Sequence, residues 1–266
     1  MSKTGKIGVG IITYNRESFF RKTVSSVIGA DSIVIVNDGM PYISDAYPTC
    51  VEIIQHRRNK GIAHSKNDAL RYLLNENCEH IFICEDDVYL ANPEIINSYI
   101  RASKETGILH FNYGFHSPIN RDENGVPVTR KSIPFGKFDL IFTKHVLGAF
   151  SYYRDIVIKD VGFMDTRYKN VYEHVDHTYQ IIKSGYHPPF WWFADLAESI
   201  HSIGELDIHQ IQSQNMKNAF FYKLRLRAYG IYSAIKNGQA LYNIPDTSES
   251  DVMRVLEEIK TKDAKK

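Results

Sequence analysis

The chain has 266 residues, enough for one large α/β domain or for a domain with an appendage. Hydrophobic residues make up 43% and charged residues 24%, a balance that excludes a disordered or fibrous chain, and a net charge of +1 leaves no global field to recruit nucleic acid or membrane. Three cysteines, Cys50, Cys78 and Cys84, without paired or metal-type spacing, argue against a disulfide framework and for a reducing compartment.

The opening "MSKTGKIGVGIITYNR" has too short an apolar run for a signal peptide, and no small-residue cleavage site follows it. No window approaches the roughly 18–20 apolar residues of a membrane span. The expectation is a soluble, cytoplasmic protein with no integral membrane segment. In chain order, "KIGVGIITY" reads as a buried strand and "ESFFRKTVSSVIGA" as a helix ending near Gly29. "SIVIVND" and "CVEIIQH" read as the second and third strands, and "IAHSKNDALRYLLNE" as a helix. "HIFICEDD" is a fourth strand, followed by a helix opened by Pro93.

Strands separated by helices predict right-handed crossovers and a mostly parallel central sheet with helices on both faces, whose ligands sit at the strands' carboxyl ends. Thr13, Asp38, His56 and the acidic run Glu85–Asp87 all fall at such ends. Residues 114–137 hold Gly, Pro and Asn in turn-forming combinations and read as a long loop or hairpin excursion. "FDLIFTKHVLGAFSYYR" gives short strands, "YEHVDHTYQIIKSGY" a helix closed by Gly185, and "HPPFWWFADLAESIHSIG" an extended aromatic stretch. From Glu205 the pattern turns helical, and "SESDVMRVLEEIK" is a capped helix near the end. The division expected is a main domain over 1–204, with a donor half at 1–109 and an acceptor half at 110–204, and a helical extension over 205–266.

Three consecutive carboxylates at the end of a buried strand concentrate like charge where desolvation is costly. A divalent cation with oxygen ligands resolves this and leaves positions for a diphosphate. A solvated turn that caps the next helix is the plainer reading of the triplet alone. Its company favours the cation: Thr13, Tyr14 and Asn15 end the first strand, Asp38-Gly39 the second, and "NKGIAHSKN" opens a helix suited to phosphate.

These elements resemble the family-two glycosyltransferases with the GT-A fold. The Thr-x-Asn-Arg element is matched by Thr13 to Arg16, and the Asn-Asp-Gly element by Asn37, Asp38 and Gly39. Asn59, Gly61, Ala63, Lys66 and Asn67 match the helix start, with Lys66 standing for Arg; Glu85, Asp86 and Asp87 match the metal motif. The resemblance implies an α/β, Rossmann-like GT-A domain that binds a nucleotide-sugar donor, with a UDP-sugar foremost, and a Mn²⁺ or Mg²⁺ cofactor. Asp38 would read the base, with Thr13, Tyr14 and Asn15 lining its pocket and Gly61 and Lys66 nearby. Glu85 and Asp86 would face ribose and metal-bound water. Asp87 would be the direct metal ligand, with His201 as a later histidine ligand and His209 its rival.

On the acceptor side, Glu173-His174-Val175-Asp176 matches the family's Glu-Asp-x-Asp element, with His174 at the position that usually carries the catalytic Asp. Inverting transfer needs a base for the acceptor hydroxyl's proton. Glu173 and Asp176 lie three apart on a helix and could share a face, and His174 could also serve, an imidazole being a common general base. Glu173 is the first candidate and Asp176 the second; retention stays open. The aromatic strand around Trp191 and Trp192 reads as core or as a sugar platform, and "KNAFFYKLRLRAYGIYSAIK" as a packed amphipathic helix or a contact for an anionic lipid or nucleic acid.

The expected activity is metal-dependent transfer of a sugar to a hydroxyl acceptor: a glycan, a lipid-linked saccharide, a protein side chain or a hydroxymethylated DNA base. A nucleotidyltransferase is disfavoured, since "TYNRESFF" lacks a glycine- and lysine-rich triphosphate loop. A non-catalytic module of the same fold is the other alternative. Nothing in the sequence sets the oligomeric state.

Overall fold

The computed structural model describes residues 5–48, 51–116, 118–206 and 219–263. In chain order these form β1 (Ile7–Thr13), α1 (Glu17–Ser26), β2 (Ser32–Asn37), β3 (Glu52–Gln55), α2 (Ile62–Asn75), β4 (His80–Glu85), β5 (Val88–Leu90), α3 (Ile95–Thr106) and β6 (His110–Asn112). Then come β7 (Lys131–Phe135), β8 (Phe138–Thr143), β9 (Phe150–Arg154), α4 (Asp155–Val161), α5 (Glu173–Lys183), β10 (Phe193–Leu196), α6 (Ser199–Ser202), β11 (Ile203–Glu205), α7 (Ala219–Asn237) and α8 (Glu249–Asp263).

The central sheet has the order β3-β2-β1-β4-β9-β6, with β3, β2, β1 and β4 parallel and β9 antiparallel between β4 and β6. The carboxyl ends of the four parallel strands therefore share one edge. All seven residues of β1 are buried, as a strand covered on both faces requires. Successive side chains of β4 alternate between two cores: Phe82 and Cys84 join one with α1 and α3, while Ile81 and Ile83 join the other with α2, α4 and α5. α2 crosses β1 closely because Gly8 and Gly10 lack side chains; a Cβ on either would lie 2.7 Å from Leu73 or Ala69.

Two smaller sheets flank this frame. β10-β8-β7 is antiparallel, and β11 pairs with β5 just beyond the acidic run. The stretch after Trp192 is thus strand, one helical turn and strand, where an extended segment was expected. Asp195 on β10 is fully buried and accepts from Tyr99, Ser199 and the backbone N–H groups of Gly114 and Leu196. Burial raises its pKa to about 6 despite those bonds, so this carboxylate ties the second sheet to α3.

α8 is capped by Ser248, whose hydroxyl accepts from the Asp251 N–H. Its Val252 and Ile259 enter the same core as Tyr99. α7 lies against α5 and the loop before it through Tyr229, Tyr232, Lys236 and Asn237. Part of the helix expected from Glu205 falls outside the described residues. No described helix is long and apolar enough to cross a membrane.

Candidate active site

The end of β1 is wired to the acidic run. The Thr13 hydroxyl donates to Asp86 Oδ2 at 2.6 Å and lies 2.6 Å from the Tyr42 hydroxyl, which also accepts the Arg16 N–H. The Tyr14 N–H reaches Asp86 Oδ2 at 3.3 Å. Asn15 turns through φ 54°, and its Oδ1 accepts from the Met40 N–H at 2.8 Å, pressing the ends of β1 and β2 together. Gly39 permits this approach, since a Cβ there would lie 2.3 Å from Asn15 Oδ1.

Asp38 is buried, and both its oxygens are engaged within the protein. It accepts from the N–H groups of Lys60 and Gly61 at 2.7 and 2.8 Å and pairs with His56 Nδ1 at 2.6 Å. His56 Nε2 lies 2.9 Å from Asp68. Burial pushes the Asp38 carboxyl upward, but these hydrogen bonds outweigh it and hold the group below its usual range. Asp38 thus staples the turn into α2, where sequence reasoning assigns it to the nucleotide base. Gly61 takes part in the same staple: its φ is +96°, and a Cβ would lie 2.5 Å from the Lys169 carbonyl.

The other expected residues converge on Lys66. This lysine is buried, and its ammonium sits 2.7 Å from Glu85, 3.1 Å from Glu173 and 3.0 Å from the Gly148 carbonyl. Burial disfavours its charge, yet the two carboxylates more than compensate and raise its pKa. Glu173 is drawn well below the carboxylate range, with Lys66 and then His174 overcoming the cost of burial. His174 Nδ1 lies 3.2 Å from Glu173 Oε1, while the His174 side chain keeps 19% of its surface exposed. A Cβ at Gly148 would fall 2.8 Å from the Lys66 ammonium and 3.0 Å from the His174 ring.

Asp176 does not join this cluster. Its Oδ2 pairs with Lys236 at 2.6 Å and its Oδ1 accepts from Asn237 at 3.1 Å, so its carboxylate faces α7. The three-residue spacing puts Glu173 and Asp176 on neighbouring parts of α5, but different partners claim them.

At the end of β4, Arg16 bridges Asp86 and Asp87, with its Nη1 3.2 Å from Asp87. Burial and the neighbouring Asp87 raise the Asp86 pKa against the pull of Arg16. Asp87 Oδ1 is buried with no hydrogen-bond partner among the described residues, and so is Nδ1 of His116, whose Nε2 lies 3.7 Å from Asp87 Oδ2. Among the described residues no group of three His, Cys, Asp or Glu is disposed to hold a metal, because Glu85 is turned to Lys66 and Asp86 to Arg16 and Thr13. A hard cation needs few protein ligands when a diphosphate supplies the rest, and the unsatisfied Asp87 and His116 atoms fit that demand.

His201 does not come to Asp87. The β5–β11 ladder carries the Leu206 N–H to the Asp87 carbonyl at one end and the Asn92 N–H to the Ser202 carbonyl at the other. His201 is exposed beside the latter end. His209 lies outside the described residues. Sequence reasoning missed His116, which carries no motif, and the role of Arg16, which lies inside a quoted element.

The fold and this edge are of the GT-A kind: parallel strands ending in Thr13, Asp38 and Glu85–Asp87, faced by an acidic helix start. Residues 8–122 match the family described as Glycosyl transferase family 2. A protein called uncharacterized glycosyltransferase R363, of Acanthamoeba polyphaga mimivirus, is 26% identical over 204 residues, covering 67% of this chain and 74% of its own. Among solved structures, GalNAc-T7 with UDP, GalNAc and Mn²⁺ superposes with a TM-score of 0.50 at 15% identity, over 68% of this chain and 41% of that one. S. aureus TarS 1–349 has a TM-score of 0.49 at 18% identity, over 66% of this chain and 55% of that one. The chain thus spans about half the length of these solved relatives.

Proposed function

We propose that the protein transfers a sugar from a nucleotide-sugar donor, a UDP-sugar first, to a hydroxyl acceptor with inversion at the anomeric carbon. The observation that carries this reading is the meeting of Lys66, Glu85, Glu173 and His174 beside the strand ends that bear Thr13, Asp86 and Asp87. The UDP and Mn²⁺ held by the GalNAc-T7 structure support the choice of donor and cofactor. Asp87 and His116 would hold the divalent cation. When bound, it supplies Lewis-acid neutralisation of the departing diphosphate.

The chain's own residues supply the rest. Glu173, kept ionised by Lys66, accepts a hydrogen bond from the His174 Nδ1–H, which leaves Nε2 with its lone pair directed away from the carboxylate. Nε2 then takes the proton of the acceptor hydroxyl as its oxygen bonds to the anomeric carbon. The bond from that carbon to the donor diphosphate breaks on the opposite side, and the diphosphate leaves with the electron pair. Lys66 and Glu173 position His174 and do not themselves exchange protons.

The test is thermal-shift binding to nucleotide diphosphates and nucleotide sugars, with Mn²⁺ and with EDTA, for wild type and Asp87→Ala. A shift for one nucleotide that requires both metal and Asp87 supports the reading. Absence of any shift in the wild type would refute it.

A further inference from the structure

α7 packs through one face and exposes the other. On the packed face the Tyr229 hydroxyl accepts from the Lys169 N–H, the Tyr232 hydroxyl donates to Asp165, Ser233 is buried, and Lys236 pairs with Asp176. On the opposite face Leu224, Ile231 and Ile235 are 54%, 63% and 77% exposed. Their spacing in the chain brings them within about 40° of one another around the helix, and Ile231 lies roughly 160° from Tyr229. Ala228, also exposed, occupies the turn between Leu224 and Ile231. Together they form an aliphatic stripe about 16 Å long.

The charges beside the stripe are of one sign. α7 holds Lys223, Arg225, Arg227 and Lys236, and no Asp or Glu. Lys223 and Arg227 are exposed and border the stripe along one side, roughly 80° and 40° around the helix from Ile231. Asp165 and Asp176, carboxylates that pair with α7, do so on its packed face, where Lys236 bridges them at 3.0 and 2.6 Å. With these cations along it, α7 is not apolar enough to cross a bilayer. An aliphatic line with lysine and arginine at its margin suits a helix lying in the plane of an anionic bilayer, where the long side chains reach up to the phosphates. A second copy is a poorer fit. A two-fold pairing of α7 with itself would bring Lys223 and Arg227 to the seam with no α7 carboxylate to answer them.

We propose that α7 is a membrane-surface helix, seating Leu224, Ile231 and Ile235 at the acyl boundary of an anionic bilayer with Lys223 and Arg227 on the headgroup phosphates. Such docking goes beyond the transferase reading and is independent of it. Through the Lys236–Asp176 pair, the docked helix holds α5 about one helix diameter, ~10 Å, from the headgroups.

The test is co-sedimentation of the full chain with vesicles of phosphatidylcholine alone and of phosphatidylcholine with about one-third phosphatidylglycerol. Wild type is compared with Ile231→Gln/Ile235→Gln and with Lys223→Gln/Arg227→Gln, and melting temperatures check folding. The expected result is binding of wild type to the anionic vesicles, weakened at least about tenfold in each variant and in ~0.5 M salt, with melting temperatures unchanged. Absence of wild-type binding to either vesicle would overturn the proposal, and so would binding that neither variant weakens. In that event, a wild-type dimer that Ile231→Gln/Ile235→Gln dissociates would give the stripe to a second copy. Retention of single-stranded DNA in place of vesicles, lost only in Lys223→Gln/Arg227→Gln, would give the cations to nucleic acid. A lower melting temperature in Ile231→Gln/Ile235→Gln, with no vesicle binding by wild type, would put the stripe under the rest of the chain.

Discussion

The ammonium of Lys66 on α2 lies 3.1 Å from Glu173 on α5, a contact between residues 107 positions apart that joins the start of one helix to the start of the other. Both groups are buried, and Glu85 completes a carboxylate–ammonium–carboxylate chain. Removing the central cation leaves the buried Glu173 charge unpaired beside a partly exposed Glu85, a loss on the order of 3–5 kcal/mol. Lys66→Met should therefore lower the melting temperature by roughly 6 °C or more. Differential scanning calorimetry checks this, and adding Glu173→Gln to Lys66→Met should recover part of the loss.

The staple at the start of α2 predicts a pH dependence of stability. His56 gives one nitrogen to Asp38 and the other to Asp68, and its pKa is raised, chiefly by the Asp38 bond. A raised histidine contributes stability that is complete below its unfolded value of 6.5 and is lost as pH rises through the folded one. Asp38 is lowered, so its contribution is present above its unfolded value of 3.8 and is lost as pH falls through the folded one. Both act together near about pH 5 to 6. Urea unfolding of wild type and His56→Gln should show the largest stability difference there and a smaller one as pH rises through the folded His56 value.

Much of this was legible in the chain itself. The alternation of apolar runs with helical patterns is enough for four parallel strands, because β1, β2 and β4 are largely buried on both faces and each intervening helix on one. The strand-end residues follow from that order, since position in a doubly covered sheet determines which edge a residue reaches. Partnership is another matter. Asp38 is expected at the nucleotide base by resemblance and Asp176 as a candidate base by spacing, but in the fold they meet His56 and Lys236, partners distant in sequence. His116 sits in an irregular loop and gains meaning only from its 3.7 Å approach to Asp87. Long-range contacts of this kind leave no periodic trace.

The metal assignment distinguishes two histidines. Paramagnetic Mn²⁺ titration in the presence of UDP should show binding weakened by about tenfold or more, at least 1.4 kcal/mol, in His116→Ala and in Asp87→Ala. His201→Ala should bind Mn²⁺ as wild type does, because His201 lies at the far end of the β5–β11 ladder. A loss confined to His201→Ala would transfer the ligand role back to that residue. Removal of metal by EDTA should abolish the UDP-dependent thermal shift in wild type.

The last prediction concerns the base. If His174 Nε2 takes the acceptor proton, His174→Ala should reduce sugar transfer by about 10²–10⁴-fold while leaving the UDP thermal shift intact. His174→Asp, which puts a carboxylate base at that position, should regain part of that activity with a pH profile extended to the acid side. Asp176→Asn should behave differently. It breaks the 2.6 Å pair with Lys236, so its main effect should appear in the melting temperature, with turnover of the folded fraction largely preserved. Equal loss of turnover in folded His174→Ala and Asp176→Asn would make Asp176 a participant, and would require α7 to move before the acceptor is glycosylated.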